Sequence, residues 1–399
     1  RASYQDRLTR IHGALGDGRT YQVNYTTRLQ SSEIRDPWSW YLATGVDAPY
    51  SAYMEFDDFV IASASPELFF RSDGDVITTR PMKGTTRRGL TVAEDMAQRQ
   101  ALAGSEKNRA ENIMITDMLR NDLGRIAEPG SVAVTSLLDI EKYPTVWQMT
   151  STVEAKTDAS VAEVFDALFP CASVTGAPKV SSMKLIAELE SSPRGVYTGA
   201  IGYIGPQQRS QFSVAIRTAV IDRQSGVGHY GVGGGIVWDS DPDEEYEECL
   251  TKSLVVTSAP AHRNFELLET ILWRPADGYV LLNLHLDRLC ASADYFDFPF
   301  SKVAATALLA ESAKSFGRQA CRIRLLLNNE GGFRLECRRF EPADDQDIVT
   351  LRLAGAPVDT RNPFLYHKTT DRRVYEQALS QAQRCDDVLL WNDAGEITE

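Results

Sequence analysis

A break in pattern at residues 257–262 sets the first limit on how this chain can fold. A helical pattern ends there in the small, proline-containing stretch TSAPAH, and an apolar strand pattern, FELLETILW, begins soon after it. Such a stretch between two periodic segments is typical of a linker. The length of 399 residues also exceeds one ordinary domain of about 150 residues. We therefore predict two domains, residues 1–258 and 263–399.

Strands that follow one another directly dominate the first domain. The runs SAYMEF, FVIASA, ELFFR and DVITTR are separated by Asp-Asp, Ser-Pro and Asp-Gly, which predicts an antiparallel meander. Three more strands are predicted in GVYTGAIGYIG, QFSVAIRTAVID and GHYGVGGGIVWD, and helices cluster between the two sets of strands. The second domain also mixes strands with helices in LDRLCASADYF and over 302–316. The pattern predicts an α+β fold with mostly antiparallel sheets.

Charge and cysteine usage exclude several classes of partner. The chain has 42 Lys plus Arg against 55 Asp plus Glu, a net charge of −13, and no basic run. This argues against nucleic acid and anionic membranes as partners, and favours small molecules, metals or other proteins. Six cysteines are scattered without a CxxC, and no apolar run of about 18 residues occurs. We expect a soluble cytoplasmic protein with reduced thiols.

The two ends of the sequence predict a fragment. The chain begins at Arg1 without Met and stops at Glu399 in mid-pattern.

Glu67 and Lys83 are the first candidates for chemistry. By composition alone, each is more often a solvated surface charge. Lys83, however, stands in PMKGT directly after an apolar strand, where a buried amine would lose its charge. A desolvated lysine is a competent nucleophile, and a desolvated glutamate can hold a proton for delivery. The pair suits covalent catalysis with acid assistance.

A second candidate group is acidic. The run DSDPDEEYEE is explained in part as a helix N-terminus, where acidic residues interact favourably with the helix dipole. Glu245 and Glu248 are three residues apart on one helical face, as are Asn108 and Glu111 on another. Two such faces across a cleft would supply oxygen ligands for Mg²⁺.

The glycine-rich run YGVGGGIVWD and Arg217 form a third group. The run lacks the GxGxxG spacing of a dinucleotide site, so it is either a bulged strand or a cradle of backbone amides for an anion. Arg217, in SVAIRTAV, would need an anionic partner if it faces the core, because an unpaired buried guanidinium is costly.

Seven motifs in order make the chain similar to a known family. SPELFF, RPMKGT, NRAENIMITDMLRNDLGRIA, SVTGAPK, YTGAIGY, AIRTAV and GGGIVWDSDPDEEYEE resemble the chorismate-utilising enzymes. Within that family, the lysine of PMKGT is typical of aminodeoxychorismate synthase component I, whereas anthranilate synthases carry alanine there. The resemblance implies the family's chorismate-binding fold, amination of chorismate, and ammonia from a separate glutamine amidotransferase subunit, since no glutaminase unit is visible.

The resemblance also implies individual roles. Lys83 resembles the nucleophile that adds to ring carbon 2 of chorismate, and Glu67 resembles the acid that protonates the hydroxyl leaving carbon 4. The family's Mg²⁺ ligands match Glu111, Glu245 and Glu248. The residues implied to bind substrate are Ser173, Tyr197, Arg217, Gly233, Gly234 and Gly235. Two positions depart from the family, since Gln148 stands where relatives often carry His, and Asn108 where they often carry an acid.

The second domain resembles class IV pyridoxal-phosphate enzymes, specifically aminodeoxychorismate lyase. The resemblance is carried by FELLETILW, LHLDRLCASADYF, YHKTTDRRVYEQAL and DDVLLWNDAGEITE. It implies Lys368 as the lysine that binds pyridoxal 5′-phosphate and Glu399 as the acid facing the pyridinium nitrogen. The family continues beyond ITE with its phosphate-binding loops, so we expect only the N-terminal part of that fold here. Strands that precede YQVN in relatives are likewise expected to be missing.

The resemblance thus predicts a fused synthase and lyase that form 4-aminobenzoate for folate. Three alternatives remain open: anthranilate synthase component I, a non-catalytic fragment that docks the glutaminase, and a general class IV aminotransferase.

Overall fold

The computed structural model describes residues 1–31, 34–45, 48–257, 265–341, 349–382 and 385–398. The chain divides into two compact units, one of residues 1–86 with 101–261 and one of residues 87–100 with 262–399. The predicted linker falls largely on residues 258–264, outside the described part, so the predicted domain boundary stays a prediction. None of the helices in the described residues combines the length and apolar character needed to cross a membrane.

The first part of the chain alternates runs of strands with runs of helices. In chain order the elements are α1 (Ala2–Gly16), β1 (Gln22–Gln30), α2 (Pro37–Thr44), β2 (Tyr50–Glu55), β3 (Phe59–Ser65), β4 (Leu68–Asp73), β5 (Val76–Arg80), β6 (Met82–Arg87), α3 (Val92–Gly104), α4 (Glu106–Gly124), β7 (Ala133–Lys142), β8 (Val146–Lys156), α5 (Val161–Leu168), a 3₁₀ turn (Ala172–Val174), β9 (Gly176–Ala177), α6 (Lys179–Leu189), β10 (Ala200–Ile204), β11 (Ser210–Val214), β12 (Thr218–Asp222), β13 (Gly228–Ile236) and α7 (Pro242–Thr257).

Two antiparallel sheets organise the first unit. One has six strands in the order β2-β3-β12-β13-β1-β9, and the other has the order β10-β11-β4-β5-β8-β6, with β7 also paired to β8. The first sheet packs its apolar side chains with those of α1, α6 and α7, among them Leu8, Leu189 and Ile236. The second packs with α4 and α5, among them Phe70 and Leu119. The prediction of α+β structure with antiparallel sheets is confirmed.

The meander predicted over 51–79 differs from the structure in one respect. β2 and β3 belong to the six-stranded sheet, whereas β4 and β5 belong to the other sheet. The chain passes between sheets at Pro66 and Glu67. Proline has no backbone N–H to donate to a ladder, so it is suited to the point where pairing stops.

The predicted strand QFSVAIRTAVID is also two strands. β11 pairs with β4 and β10 in the seven-stranded sheet, and β12 pairs with β3 and β13 in the six-stranded sheet. The chain crosses at residues 215–217, where Arg217 has φ +49° in the left-handed region. An apolar run carries the same alternation on both sides of such a crossing, so periodicity alone does not reveal it.

The second unit has its own sheet and core. Its elements after residue 264 are β14 (Leu267–Arg274), β15 (Gly278–Tyr279), α8 (Leu282–Phe296), α9 (Lys302–Ala313), β16 (Cys321–Leu327), β17 (Phe333–Arg339), β18 (Leu351–Leu353), a 3₁₀ turn (Pro363–Leu365), α10 (Arg373–Gln381) and β19 (Asp387–Leu389). The antiparallel order β15-β14-β16-β17 packs its apolar side chains with those of α8 and α9, and β18 and β19 form a separate parallel pair.

Residues 87–100 belong to the second unit although they precede most of the first. Arg88 makes a two-pronged ion pair with Asp95, and both distances are 2.7 Å. The guanidinium lies 4.6 Å from the ring centroid of Tyr295, whose hydroxyl donates to the carbonyl of Gly89. Arg88 and Asp95 are both buried. These contacts fix the segment within the second unit.

Candidate functional site

One cavity in the first unit gathers most of the predicted site residues. It measures about 190 Å³ and is lined by strands of both sheets together with α4 and α7. Predicted residues on its wall are Glu67, Lys83, Glu111, Ser173, Tyr197, Arg217, Gly233, Gly234, Gly235, Glu245 and Glu248. The two departures from the family pattern, Asn108 and Gln148, line the same cavity.

Glu67 lies at the crossing between β3 and β4 and is only 3% exposed. Its Oε1 atom is buried without a hydrogen-bond partner. Burial raises the pKa of the Glu67 carboxyl to about 7, although the Ser173 hydroxyl and the charge of Lys83 oppose the shift. A carboxyl with this pKa carries a proton in a large fraction of molecules at neutral pH, so it can serve as a general acid.

Lys83 lies on β6 and reaches toward the glycine-rich strand β13. A Cβ placed on Gly235 would lie 3.2 Å from Lys83 Nζ. The charge of Lys83 opposes the rise in pKa that burial causes at Glu67 and at Glu111, so the amine lies within electrostatic reach of both carboxyls. The lysine is therefore close enough to interact electrostatically with the candidate acid and with one candidate metal ligand.

Three glutamates from two helices form the acidic side of the cavity. α4 begins at an N-cap formed by Ser105, which places Glu111 in the second turn. α7 carries Glu245 and Glu248, and Glu245 accepts a hydrogen bond of 2.7 Å from Ser240. Burial raises the pKa of both Glu111 and Glu245. Their ionised forms would therefore gain from a nearby cation.

Two lysines already face these glutamates. Lys252 Nζ lies 2.7 Å from Glu248, and Lys107 Nζ lies 3.7 Å from Glu245. The charge and hydrogen bond of Lys252 hold the pKa of Glu248 below its usual value, although burial acts to raise it. Across the described residues, no three His, Cys, Asp or Glu side chains stand close enough together to hold a metal ion. The candidate ligands are all carboxylate oxygens, which Mg²⁺ prefers, so their chemistry fits this ion. In this structure the three carboxylates do not lie close enough together to share one ion.

Arg217 supplies a positive group on another wall. Its guanidinium has no hydrogen-bond partner in the part of the chain that the structure describes. Burial lowers the pKa of Arg217, while Tyr230 and Tyr143 act in the opposite direction. The hydroxyl of Tyr230 is likewise buried without a partner, and Tyr197 lies on the same wall. A guanidinium without a hydrogen-bond partner is suited to pairing with a carboxylate, so the predicted role of Arg217 in substrate binding stays a prediction.

The glycine-rich segment is a regular strand, with no bulge. β13 pairs with β1 in unbroken register from Val23 opposite Ile236 to Gln30 opposite His229. A Cβ on Gly231 would lie 2.3 Å from the Tyr197 ring, and one on Gly235 would lie 2.3 Å from Gln22 Nε2. The glycines therefore let these side chains approach the strand. An additional role for their amides as an anion cradle stays a prediction.

Some residues on the cavity wall, and one beside it, were missed by sequence reasoning. Gln22 on β1 is fully buried, with neither amide atom hydrogen-bonded, and faces Gly235 beside Lys83. Asn24, Lys107 and Lys252 line the cavity itself. Lys252 could have been found, because it follows Glu248 by one helical turn. Gln22 offered no such signal, because a polar residue on a strand is usually solvated.

The second unit holds the other predicted residues. Lys368 has an exposed side chain, and its carbonyl accepts a hydrogen bond from the backbone N–H of Leu268 on β14. The neighbouring His367 is buried between Ser292 and the carbonyl of Leu90, and burial lowers its pKa to about 4. Exposure leaves the amine of Lys368 accessible but is equally typical of a surface lysine, so its role as the cofactor lysine stays a prediction. Glu399 lies outside the described residues.

Comparison with known sequences matches two successive stretches of the chain to two families. Residues 1–258 match the family described as chorismate binding enzyme, and residues 266–399 match amino-transferase class IV. An aminodeoxychorismate synthase from Streptomyces pristinaespiralis is 41% identical over 261 residues, covering 64% of this chain and 36% of that protein. The chain thus spans about a third of the length of that curated relative.

An anthranilate synthase component 1 from Haloarcula marismortui is 40% identical over 263 residues, covering 65% of this chain and 53% of that protein. Among solved structures, anthranilate synthase component I from Streptococcus pneumoniae superposes with a TM-score of 0.58 at 30% identity. It covers 64% of this chain and 57% of the solved one. These likenesses confirm the expected fold of the first domain.

Proposed function

The chain belongs to the chorismate binding enzyme family, and from that premise we propose that its first domain aminates chorismate to 4-amino-4-deoxychorismate. The observation that carries this proposal is the shared cavity of Lys83 and Glu67. A lysine nucleophile and a carboxyl of raised pKa are the two groups that covalent displacement of a hydroxyl requires. Lys83 also favours this reaction over anthranilate formation.

Lys83 and Glu67 divide the first step between them. The neutral amine adds to ring carbon 2 of chorismate, and both ring double bonds shift, to the C1–C6 and C4–C5 bonds. The hydroxyl at carbon 4 then leaves with the proton of Glu67 as water. Ammonia then adds at carbon 4, both double bonds shift back, and the Lys83 amine is expelled from carbon 2. A proton released by the added ammonia returns to Glu67, which restores the acid.

Separate groups hold the two carboxylates of the substrate. Arg217 and Tyr197 bind the carboxylate of the enolpyruvyl side chain, while Ser173 and residues 233–235 line the pocket around it. Glu111 and Glu248, assisted by Glu245, would hold Mg²⁺, which when bound neutralises the ring carboxylate. Lys252 and Lys107 would then give up their present positions on Glu248 and Glu245.

The second domain extends the proposed function. Its match to class IV aminotransferases supports a lyase that removes pyruvate from 4-amino-4-deoxychorismate and leaves 4-aminobenzoate, a precursor of folate. Lys368 and Glu399 would hold pyridoxal 5′-phosphate, which supplies an electron sink for that chemistry. The ammonia used by the first domain would come from a glutamine amidotransferase partner, as we inferred from the sequence.

The test is an assay of the full-length protein with chorismate, ammonium and Mg²⁺, followed by mass spectrometry of the products. We expect aminodeoxychorismate or 4-aminobenzoate, and at least a ~10²-fold lower rate in Lys83→Ala. Lys314→Ala, which changes an exposed lysine, should match the parent. In Lys368→Ala, aminodeoxychorismate should accumulate without 4-aminobenzoate.

Other products decide between the alternatives. The similarity to the Haloarcula anthranilate synthase makes anthranilate the specific competitor. Anthranilate formed by the Lys368→Ala variant would establish anthranilate synthase activity and contradict the proposed formation of 4-amino-4-deoxychorismate. Absence of any turnover, with binding of an amidotransferase intact, would establish a docking role.

A further inference from the structure

The backbone that follows Lys83 is held by a side-chain amide from the neighbouring strand. Gln148 on β8 donates from Nε2 to the carbonyl of Gly84 at 2.8 Å, and its Oε1 accepts from the Thr85 hydroxyl at 2.8 Å. Gln148 is 5% exposed. Both ends of its amide are therefore committed to the two residues that follow the candidate nucleophile.

A second amide holds Lys83 itself from another element. Asn112 on α4 is fully buried and donates from Nδ2 to the carbonyls of Lys83 and Met149, each at 3.2 Å. Its Oδ1 accepts a hydrogen bond of 2.5 Å from Ser151 on β8. Asn112 thus joins α4, β6 and β8 at the position of Lys83.

The conformation of Gly84 explains why side chains are needed here. β6 lies at the end of its sheet beside β8, and Gly84 has φ +91°, outside the β region. A strand with such a residue cannot keep a regular ladder through that point, so neighbouring carbonyls need other donors. A Cβ on Gly84 would lie 3.0 Å from that of Asn108, so the backbone also packs tightly against α4.

We propose that Gln148 and Asn112 are positioning residues that form an amide clamp on residues 83–85 and thereby fix the aim of the Lys83 amine. The proposal rests on the proposed function for the catalytic part of its effect. Gln148 serves here because its amide offers one donor and one acceptor in fixed places and does not titrate. The clamp acts on the nucleophile and leaves the substrate's carboxylate contacts unchanged.

The kinetic test compares Gln148→Leu, which keeps the size of the side chain but removes both hydrogen bonds, with the parent in the full-length protein. A displacement of about 1 Å at a reacting group costs about 10²-fold in rate. We expect kcat to fall by about that factor, with KM for chorismate changed less than about threefold. Thr85→Val should lower kcat less, and the double variant should be no slower than Gln148→Leu, because both remove the same contact.

A chemical test needs no turnover. The rate at which an amine-reactive reagent modifies Lys83, relative to exposed Lys314, is measured by peptide mass spectrometry between about pH 6 and pH 10. We expect the rate of Lys83 modification relative to Lys314 to change in Gln148→Leu, because release of residues 83–85 alters how the amine is placed. It should stay unchanged in Gln30→Leu, which alters an exposed glutamine at the end of β1. Gln148→Glu, which keeps an acceptor for Thr85 and loses the donor to Gly84, replaces Gln148→Leu should the latter not fold.

The two tests separate this proposal from the proposed function. A parental kcat and a parental labelling profile in Gln148→Leu would overturn the clamp. Shifted labelling in a protein that forms no aminodeoxychorismate would support the clamp and refute the synthase reaction. A fall in kcat accompanied by an equal rise in KM, with parental labelling, would place Gln148 in substrate binding and also overturn the clamp.

Discussion

At the scale of single residues, several polar groups in and beside the site are buried away from water without a full set of hydrogen bonds. Glu67 Oε1, the Gln22 amide and the Tyr230 hydroxyl are all buried with unused hydrogen-bonding capacity. Each buried group without a hydrogen-bond partner lowers the stability of the protein by about 1–3 kcal/mol. The proposed substrate, which carries two carboxylates and a hydroxyl, would pair with the groups of Glu67 and Tyr230, both on the cavity wall. Substrate binding would therefore remove this cost and gain that free energy.

The raised pKa of Glu67 predicts the pH dependence of the reaction. The protonated carboxyl is the active form, so kcat/KM should fall tenfold per pH unit above about pH 7, where burial places its pKa. Glu67→Gln cannot deliver a proton and should lower the rate by about 10²–10⁴-fold, and its residual rate should lack that alkaline decline. The pH–rate profile checks both, with the exposed Glu188→Gln as the control. Persistence of the decline in Glu67→Gln would assign it to another group.

The residue types at the site could be predicted from sequence more readily than their environment. The spacing of Glu111, Glu245 and Glu248 placed them on helical faces, and the cavity does bring those faces together. The lysines that now meet these carboxylates were not foreseen. Their contacts depend on how α4 and α7 are placed in three dimensions, which no local pattern encodes.

At the scale of elements, the absence of side chains at the glycines of β13 lets neighbouring residues pack directly against the strand. Its glycines leave room for the Tyr197 ring, the Gln22 amide and the Lys83 amine. The sequence pattern suggested either a bulge or an anion cradle, because a glycine run alone does not reveal its neighbours. The regular register with β1 favours a third interpretation, a flat wall against which long side chains lie.

Gly235→Ala tests that interpretation. The added methyl would lie 2.3 Å from Gln22 Nε2 and 3.2 Å from Lys83 Nζ, so both side chains must move. We expect at least a ~10-fold loss of kcat/KM with the fold retained, measured by steady-state kinetics beside thermal unfolding. Gly13→Ala is the matched control, since nothing lies within 4 Å of its Cβ position in α1. It should raise stability by about 0.5–1 kcal/mol and leave the kinetics unchanged. Parental kinetics in Gly235→Ala would show that the strand tolerates side chains.

Element existence was predictable here, but sheet membership was not. Periodicity and turn residues located β2, β3, β4, β5, β14, α8 and α9 because those signals are local. Whether β3 and β4 share a sheet depends on pairings made by β11 and β12, which lie far along the chain.

At the scale of the whole molecule, the second unit includes residues 87–100 from within the stretch matched to the chorismate binding family. No boundary drawn by sequence similarity could have revealed this. The segment is held by Arg88, Asp95 and Tyr295, and their partners become clear only once the fold is known.

The buried Arg88–Asp95 pair predicts where a destabilising substitution will act. Asp95→Ala leaves the guanidinium buried without that partner, which should cost about 3–5 kcal/mol. Hydrogen exchange should therefore accelerate in α8, whose Tyr295 contacts the segment. Asp277→Ala removes an exposed ion pair with Arg274 and should change stability by less than about 1 kcal/mol. Equal effects of the two substitutions would mean that the segment contributes nothing to the second unit.

The two passages of the chain between sheets, at residues 66–67 and 215–217, have a consequence for how the first unit could evolve. The proposed acid and the proposed carboxylate-binding arginine lie at these passages, so the gap between the sheets sets the distance between them. Substitutions in either apolar core that widen or narrow the gap would retune the fit to the substrate while the cavity wall keeps its composition. Changes in specificity can therefore arise from packing residues remote from the ligand.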